Sequence, residues 1–271
     1  MQLNNNNYHS IDANKTYCSS SQFKAFFGSL GMKGCEAKTM AVLKGEYERE
    51  KPGQALLMGS YIDSYFSGTL EEFKAKNPEI FPPNRTLRCP YVKCNEIIRR
   101  IERDPYFMKM MSGEKQVIMT AEIFGIKWRC ALDFYHKKRV LVDLKIMRSI
   151  REKLWVKYID PVTGEIKNKK VNFIEYYDYF LQLGLYQEIV FRNTGDRIPC
   201  MIAVASKEKD IDIEAISIRQ SRMDAAMNRV RVNAERIKDL KSGKIEPIGC
   251  GVCGYCRDNK RLVDPIDSED I

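Results

Sequence analysis

Three cysteines stand at two-residue gaps near the end of this 271-residue chain, in Cys250-Gly251-Val252-Cys253-Gly254-Tyr255-Cys256. A glycine-loosened loop of this spacing can aim three thiolates at one point, as a metal ion or an iron–sulfur cluster requires. Either centre takes four thiolates, so one must come from elsewhere. Cys35, in Gly34-Cys35-Glu36-Ala37, is the best-placed candidate, and Cys18 is its rival. Both choices join the two ends of the sequence, and the residues between must fold inside that closure.

The cysteine count is nine, which is odd, and Met1 to Asn7 lacks the basic and apolar regions of an export signal. Thiols and metal ligands are therefore expected rather than disulfides, in a cytoplasmic protein. Cys89, Cys94, Cys130 and Cys200 read as buried or incidental thiols. No apolar run approaches the roughly 20 residues that span a bilayer, so no membrane partner is expected. Net charge is +9. Basic residues gather in one segment containing Arg85, Arg88, Lys93, Arg99, Arg100 and Arg103, and again between Arg219 and Lys241. Such runs favour phosphate contacts, although charge alone is equally compatible with an ordinary basic protein.

Along the chain, Ser19 to Ser21 offer caps for a helix through Phe23, Phe26 and Phe27. Further helices are expected over 35–44, after Pro52, and over 91–111, with Pro78, Pro82, Pro83 and Pro90 marking an irregular connection. The period then changes to β-branched and aromatic runs at 116–124, 127–135 and 140–146, which predict an antiparallel meander. The segment Asp160-Pro161-Val162-Thr163-Gly164 predicts a turn in a further hairpin or a mobile loop. A helix over 172–191, strands at 198–205 and 211–218, and a basic helix over 219–241 follow. The expected fold is α/β, a mixed central sheet flanked by helices with an α-helical N-terminal part. A flexible arm over 1–18, one domain over 19–257 and a flexible tail over 258–271 complete the expectation.

Within the meander, Asp133 precedes Asp143-Leu144-Lys145 by ten positions. Strand alternation puts Asp143 and Lys145 on one face. Asp133 shares that face if the connecting loop has an odd number of residues. Two carboxylates and an ammonium would then converge, and carboxylates suit Mg²⁺ or Mn²⁺. An isolated Asp-x-Lys is more often a solvated strand face. Here Val140, Leu141, Val142 and Leu144 imply burial on both faces, where a carboxylate needs a partner or a metal.

These residues resemble the PD-(D/E)xK nuclease superfamily, and within it the RecB/RecE-type exonucleases of phage recombination modules. The resemblance implies a restriction-endonuclease-like core. It assigns Asp133 and Asp143, with the Leu144 carbonyl, to a divalent metal and Lys145 to the attacking water; Leu132 stands where a proline is frequent. Gln182 and Tyr186 match the family's Q-x-x-x-Y helix motif and would contact DNA, although aromatic packing alone would also explain them. In Gly59-Ser60-Tyr61-Ile62-Asp63, the aspartate replaces a metal-binding histidine. Glu122 resembles a glutamate found one strand before the aspartate, and is a candidate ligand or simply an exposed charge.

One upstream cysteine with three near the end resembles the [4Fe-4S] clasp of AddB-type helicase-nucleases and CRISPR-adaptation exonucleases. That implies a cluster on Cys35, Cys250, Cys253 and Cys256, with Zn²⁺ as the alternative. The implied function is a metal-dependent DNA exonuclease processing duplex ends for recombination. Its implied partners are linear duplex or single-stranded DNA ends and a single-strand annealing protein, with a homo-oligomer favouring processivity. The alternative is a non-catalytic DNA-end-binding module of a recombination or CRISPR-type assembly.

Overall fold

The computed structural model describes residues 1–48, 51–81, 87–160, 162–262, 264, 265, 267 and 269. Pro82, Pro83, Arg85 and Pro161 lie outside the described residues, as does part of the expected tail. The N-terminal part is helical: α1 (Ile11–Thr16), α2 (Ser20–Phe27), α3 (Glu36–Lys44), α4 (Gln54–Ser67), α5 (Leu70–Lys76), α6 (Cys89–Glu102) and α7 (Pro105–Met110). The strands β1 (Glu114–Ile123), β2 (Ile126–His136) and β3 (Val140–Met147) follow. A separate hairpin, β4 (Leu154–Ile159) and β5 (Ile166–Val171), precedes α8 (Phe173–Tyr176) and α9 (Tyr179–Thr194). The chain continues through β6 (Cys200–Ser206), β7 (Ile213–Ser217), α10 (Gln220–Ser242) and α11 (Gly254–Asp258).

The main sheet has the order β1-β2-β3-β6-β7. Its β3–β6 pair is parallel, and the other pairs are antiparallel. A parallel pair needs a crossover connection, which α8 and α9 supply. One face packs Trp128, Cys130, Leu141 and Ile202 against α2, α9 and α10. The other packs Phe134, Val142, Leu144 and Ala203 against α4, α6 and α7. The buried central strands therefore read as nearly continuous apolar runs. Among the described residues, no helix is long and apolar enough to cross a membrane.

Two expected helices are each broken. The helix over 91–111 stops before Asp104, because a residue preceding proline is pushed out of helical angles. The Asp104 carboxylate then caps α7 by accepting from Phe107 N at 2.8 Å. The helix over 172–191 is interrupted at Asp178, which is left-handed (φ 55°, ψ 50°). Arg229 donates to that carboxylate at 2.7 Å and holds the kink.

Residues 1–18, expected as a flexible arm, are packed on the sheet instead. Pairing of β3 with β2 is confined to residues 134–136 of β2, which leaves the outer edge of β2 open farther along. Cys18 fills it: Cys18 N donates to Lys127 O at 2.8 Å, and Arg129 N donates to Cys18 O at 2.9 Å. Covering an open strand edge satisfies its backbone groups and blocks pairing with other chains. The buried Arg129 also donates to Asn14 Oδ1 at 2.6 Å and to the Tyr8 carbonyl.

The basic run of α10 is not a free phosphate surface throughout. Arg222 pairs with Glu175, Arg229 with Asp178, Arg236 with Glu36 and Lys238 with Glu235.

Candidate active site

Pairing of Phe134 with Val142, Tyr135 with Leu141 and His136 with Val140 leaves a loop of three residues, 137–139. This register sets Asp133 opposite Asp143. The ladder ends there, and the Asp133 side chain takes over from the neighbouring backbone: Oδ2 accepts from Leu144 N at 2.9 Å. Asp143 is 3% exposed. Its Oδ1 accepts from Gln182 Nε2 at 2.8 Å, so α9 reaches the sheet at this point. Its Oδ2 is buried without a well-aligned hydrogen bond, and the Lys145 ammonium lies against it as an ion pair. Lys145 Nζ also donates to Leu144 O at 3.3 Å.

Asp63 enters from α4 on the opposite layer, held by Gln116 Nε2 at 3.2 Å from Oδ2. Burial, then the charges of Asp143 and Asp63, push the Asp133 carboxyl well above its ordinary range. Burial raises Asp63 to about 6; Asp143 adds to this, while Lys145 and Gln116 oppose it. Burial works against the charge of Lys145, but Asp143, Asp133 and Tyr179 outweigh it and hold the amine above its usual value. Lys145 is thus a fixed ammonium, suited to holding a water or phosphate oxygen rather than removing a proton at neutral pH. Asp133 and Asp63, both raised by burial and by a neighbouring carboxylate, together with the buried Asp143, which has one oxygen without a hydrogen bond, are hard donors suited to a divalent cation.

Tyr186 lies one turn beyond Gln182 and is partly buried; burial, then Asp143, Tyr8 and Asp133, raise its hydroxyl well above the ordinary value. Glu122 does not join the group. It is exposed, pairs across the ladder with Lys127, and stands near the turn at the far end of β1. The β1 residue in register with Asp133 is Gln116, whose backbone is left-handed (φ 52°). Counting back from the Phe124-Gly125 turn would have found it, because a two-residue turn fixes the pairing. Two further neighbours carried no sequence signal. The Tyr179 ring lies 5.0 Å from Lys145 Nζ and 5.6 Å from Lys24 Nζ. Burial lowers the Lys24 amine, and Lys145 lowers it further, against Asp178 and Asp143.

The cysteines form a second group. Sulfur atoms of Cys35, Cys250, Cys253 and Cys256 all lie within 4.8 Å of one another, with Cys35 and Cys256 at 3.6 Å. Cys18 stays apart, buried against β2. Cys35 caps α3, its sulfur accepting from Lys38 N at 3.4 Å. Glu36 fastens the incoming strand by accepting from Ile248 N at 2.9 Å and from Arg236. At Gly249 an added Cβ would meet Cys256 Sγ at 3.1 Å, so the closest approach is kept free of a side chain. Amides of Val252 and Cys253 lower the Cys250 thiol to about 6, whereas burial and the neighbouring sulfurs push Cys253 up to about 12. One cation would relieve that crowding.

The spacing also sorts the cation. Four thiolates around one zinc, at bonds of about 2.3 Å, stand about 3.8 Å apart. In a four-iron cubane each thiolate binds a different iron, which spreads the sulfurs to about 6 Å. The group as it stands matches the spacing around a single tetrahedral ion, and a [4Fe-4S] cluster would require the sulfurs to move apart.

Residues 19–259 match the family described as PDDEXK-like domain of unknown function (DUF3799). A crystal structure of a protein from Eubacterium rectale, named as a candidate exonuclease, is 44% identical, with a TM-score of 0.92. The match covers 100% of this chain and 98% of that one. The structure of SSO0001 is 11% identical, with a TM-score of 0.29, over 75% of this chain and 84% of that one. No curated protein matches.

Proposed function

The chain belongs to this PDDEXK-like family, and on that premise we propose that it is a divalent-metal-dependent exonuclease acting on the ends of duplex DNA. The observation that carries the reading is the convergence of Asp133, Asp143, Lys145 and Gln182 at the splayed end of β2 and β3. Asp133, Asp143 and the Leu144 carbonyl would hold Mg²⁺ or Mn²⁺, with Asp63 beside them. The ion, when bound, would polarise the scissile phosphate and acidify a nearby water.

The chain's own residues do the rest. Gln182 fixes the orientation of Asp143 through Oδ1 and leaves Oδ2 for the ion. Lys145, steadied by the Tyr179 ring, offers positive charge to the water and to the phosphate oxygens as charge develops. Tyr186, on the same helical face as Gln182, would border the DNA. The product strands would enter recombination, as in the RecE-type enzymes this chain resembles. The cysteine group joins the start of α3 to the loop over 250–256, and we assign it one tetrahedral zinc ion.

End-labelled linear duplex incubated with Mn²⁺ tests the reading: progressive release of label is expected, and intact DNA at high enzyme would refute it. Asp63 gives a finer check. A protonated carboxyl is a poor ligand, and this one loses its proton near pH 6. The Mn²⁺ concentration for half-maximal activity should therefore rise as pH falls through 6. Asp63→Ala should raise that concentration about ten-fold at neutral pH and flatten its pH dependence. An unchanged metal titration would make Asp63 a structural residue.

A further inference from the structure

The hairpin of β4 and β5 pairs with no strand of the main sheet. A lone two-stranded ribbon is marginally stable in water. Its inner face is anchored by Val156 and Val171, both buried. Cross-strand partners share a face, so the opposite face carries Trp155 with Lys170, Lys157 with Asn168, and Ile166. All five of these residues are exposed.

Three features mark this face. Trp155 is 64% exposed, while the other tryptophan, Trp128, is wholly buried. No acidic residue interrupts the face; Asp160, at the tip, is paired with Lys167 at 2.6 Å. Lys153, Lys157 and Lys170 make no ion pair among the described residues, in contrast to the paired arginines of α10. Lys170 lies 4.9 Å from the centre of the Trp155 ring, bracing the indole from one side and leaving the other open.

We propose that this hairpin face binds single-stranded DNA, a base stacking on Trp155 and the following phosphates meeting Lys157, Lys170 and Lys153. An exposed indole among unpaired lysines suits unpaired bases, because each base offers a π-face and each nucleotide a charge. Duplex bases keep their faces covered by their neighbours, so the indole selects the separated strand. The placement serves the chemistry. The hairpin leaves the strand that carries Asp143 and Lys145 and returns into the helices that carry Gln182. It would grip a strand entering or leaving the site.

The proposal rests on the nuclease reading for its choice of DNA, and the test separates the two. With Trp128 buried, a change in tryptophan emission on adding short oligo(dT), without added divalent metal, reports on Trp155. Saturable quenching that weakens with salt is expected. Trp155→Ala and the pair Lys157→Glu with Lys170→Glu should each weaken affinity for labelled oligo(dT) about ten-fold, and Trp155→Tyr should restore most of it. Hydrolysis of bis(p-nitrophenyl) phosphate with Mn²⁺ should be unchanged in all three. Oligo(dT) binding as tight as wild type in the variants, absent quenching, or a loss confined to duplex would each overturn the proposal. Quenching without any hydrolysis by the wild-type protein would instead sink the nuclease reading and leave the hairpin site standing.

Discussion

Asp143→Asn is expected to lower DNA cleavage roughly 10³-fold or more, with little change in melting temperature. The substitution keeps the volume and the contact with Gln182 but removes the charge that the metal needs. The fold should tolerate it, because Asp133 remains beside Lys145 as a counter-charge. Lys145→Met should cost a similar factor for a different reason. Its metal titration should stay near wild type while the maximal rate collapses, since an ammonium that orients the water is lost and the carboxylates are kept. DNA binding should survive both changes, because phosphate contacts elsewhere supply most of the affinity. Wild-type rates in Asp143→Asn would remove the assignment of the metal site.

Cys35→Ser should release the bound ion and lower the melting temperature by about 10 °C or more. Cys35 and Cys256 are 221 positions apart, so an ion held between them would close a very long loop. By the chain-entropy argument a link of that span removes about 5 kcal/mol of unfolded-state freedom. In a chain of this size each kcal/mol is worth about 2–4 °C. Metal analysis of the wild-type protein should find one ion per chain and no visible absorbance. Brown protein with about four irons per chain would show that the sulfurs move apart to take a cluster, against the single-ion assignment. Cys18→Ser should leave the metal content unchanged. Its thiol sits in the sheet edge, away from the other four.

The sequence revealed the sheet better than the details of the helices. Runs that alternate or stay apolar located β1, β2 and β3 closely, but the face of Asp133 stayed conditional on loop length. The run over 127–135 stopped short of His136, whose pairing with Val140 leaves three loop residues and sets Asp133 opposite Asp143. Gln182 was singled out only by its resemblance to the family's Q-x-x-x-Y motif, and its side chain donates to Asp143. The break before Pro105 was readable from the proline, whereas the left-handed Asp178 depends on Arg229, fifty-one positions away. Asp63 was singled out through its Gly-x-x-x-Asp pattern, whereas Lys24, which approaches the Tyr179 ring from α2, had no local pattern to mark it. Glu122 was misplaced because a motif on a neighbouring strand gives a residue type but not a register. Net charge misled in the same way. The most basic helix engages Arg222, Arg229 and Arg236 in ion pairs, whereas Lys153, Lys157 and Lys170, at a hairpin that sequence marked by its turn, make none among the described residues.

The proposed activity is metal-dependent attack from DNA ends at Asp133, Asp143 and Lys145. Its most direct measurement compares linear duplex with a covalently closed circle of the same sequence, each incubated with Mn²⁺ and either wild-type protein or Asp143→Asn. Wild type is expected to consume the linear DNA from its ends and to leave the circle intact, and Asp143→Asn to leave both intact. Linear DNA untouched by wild type, or equal digestion by the two proteins, would contradict it.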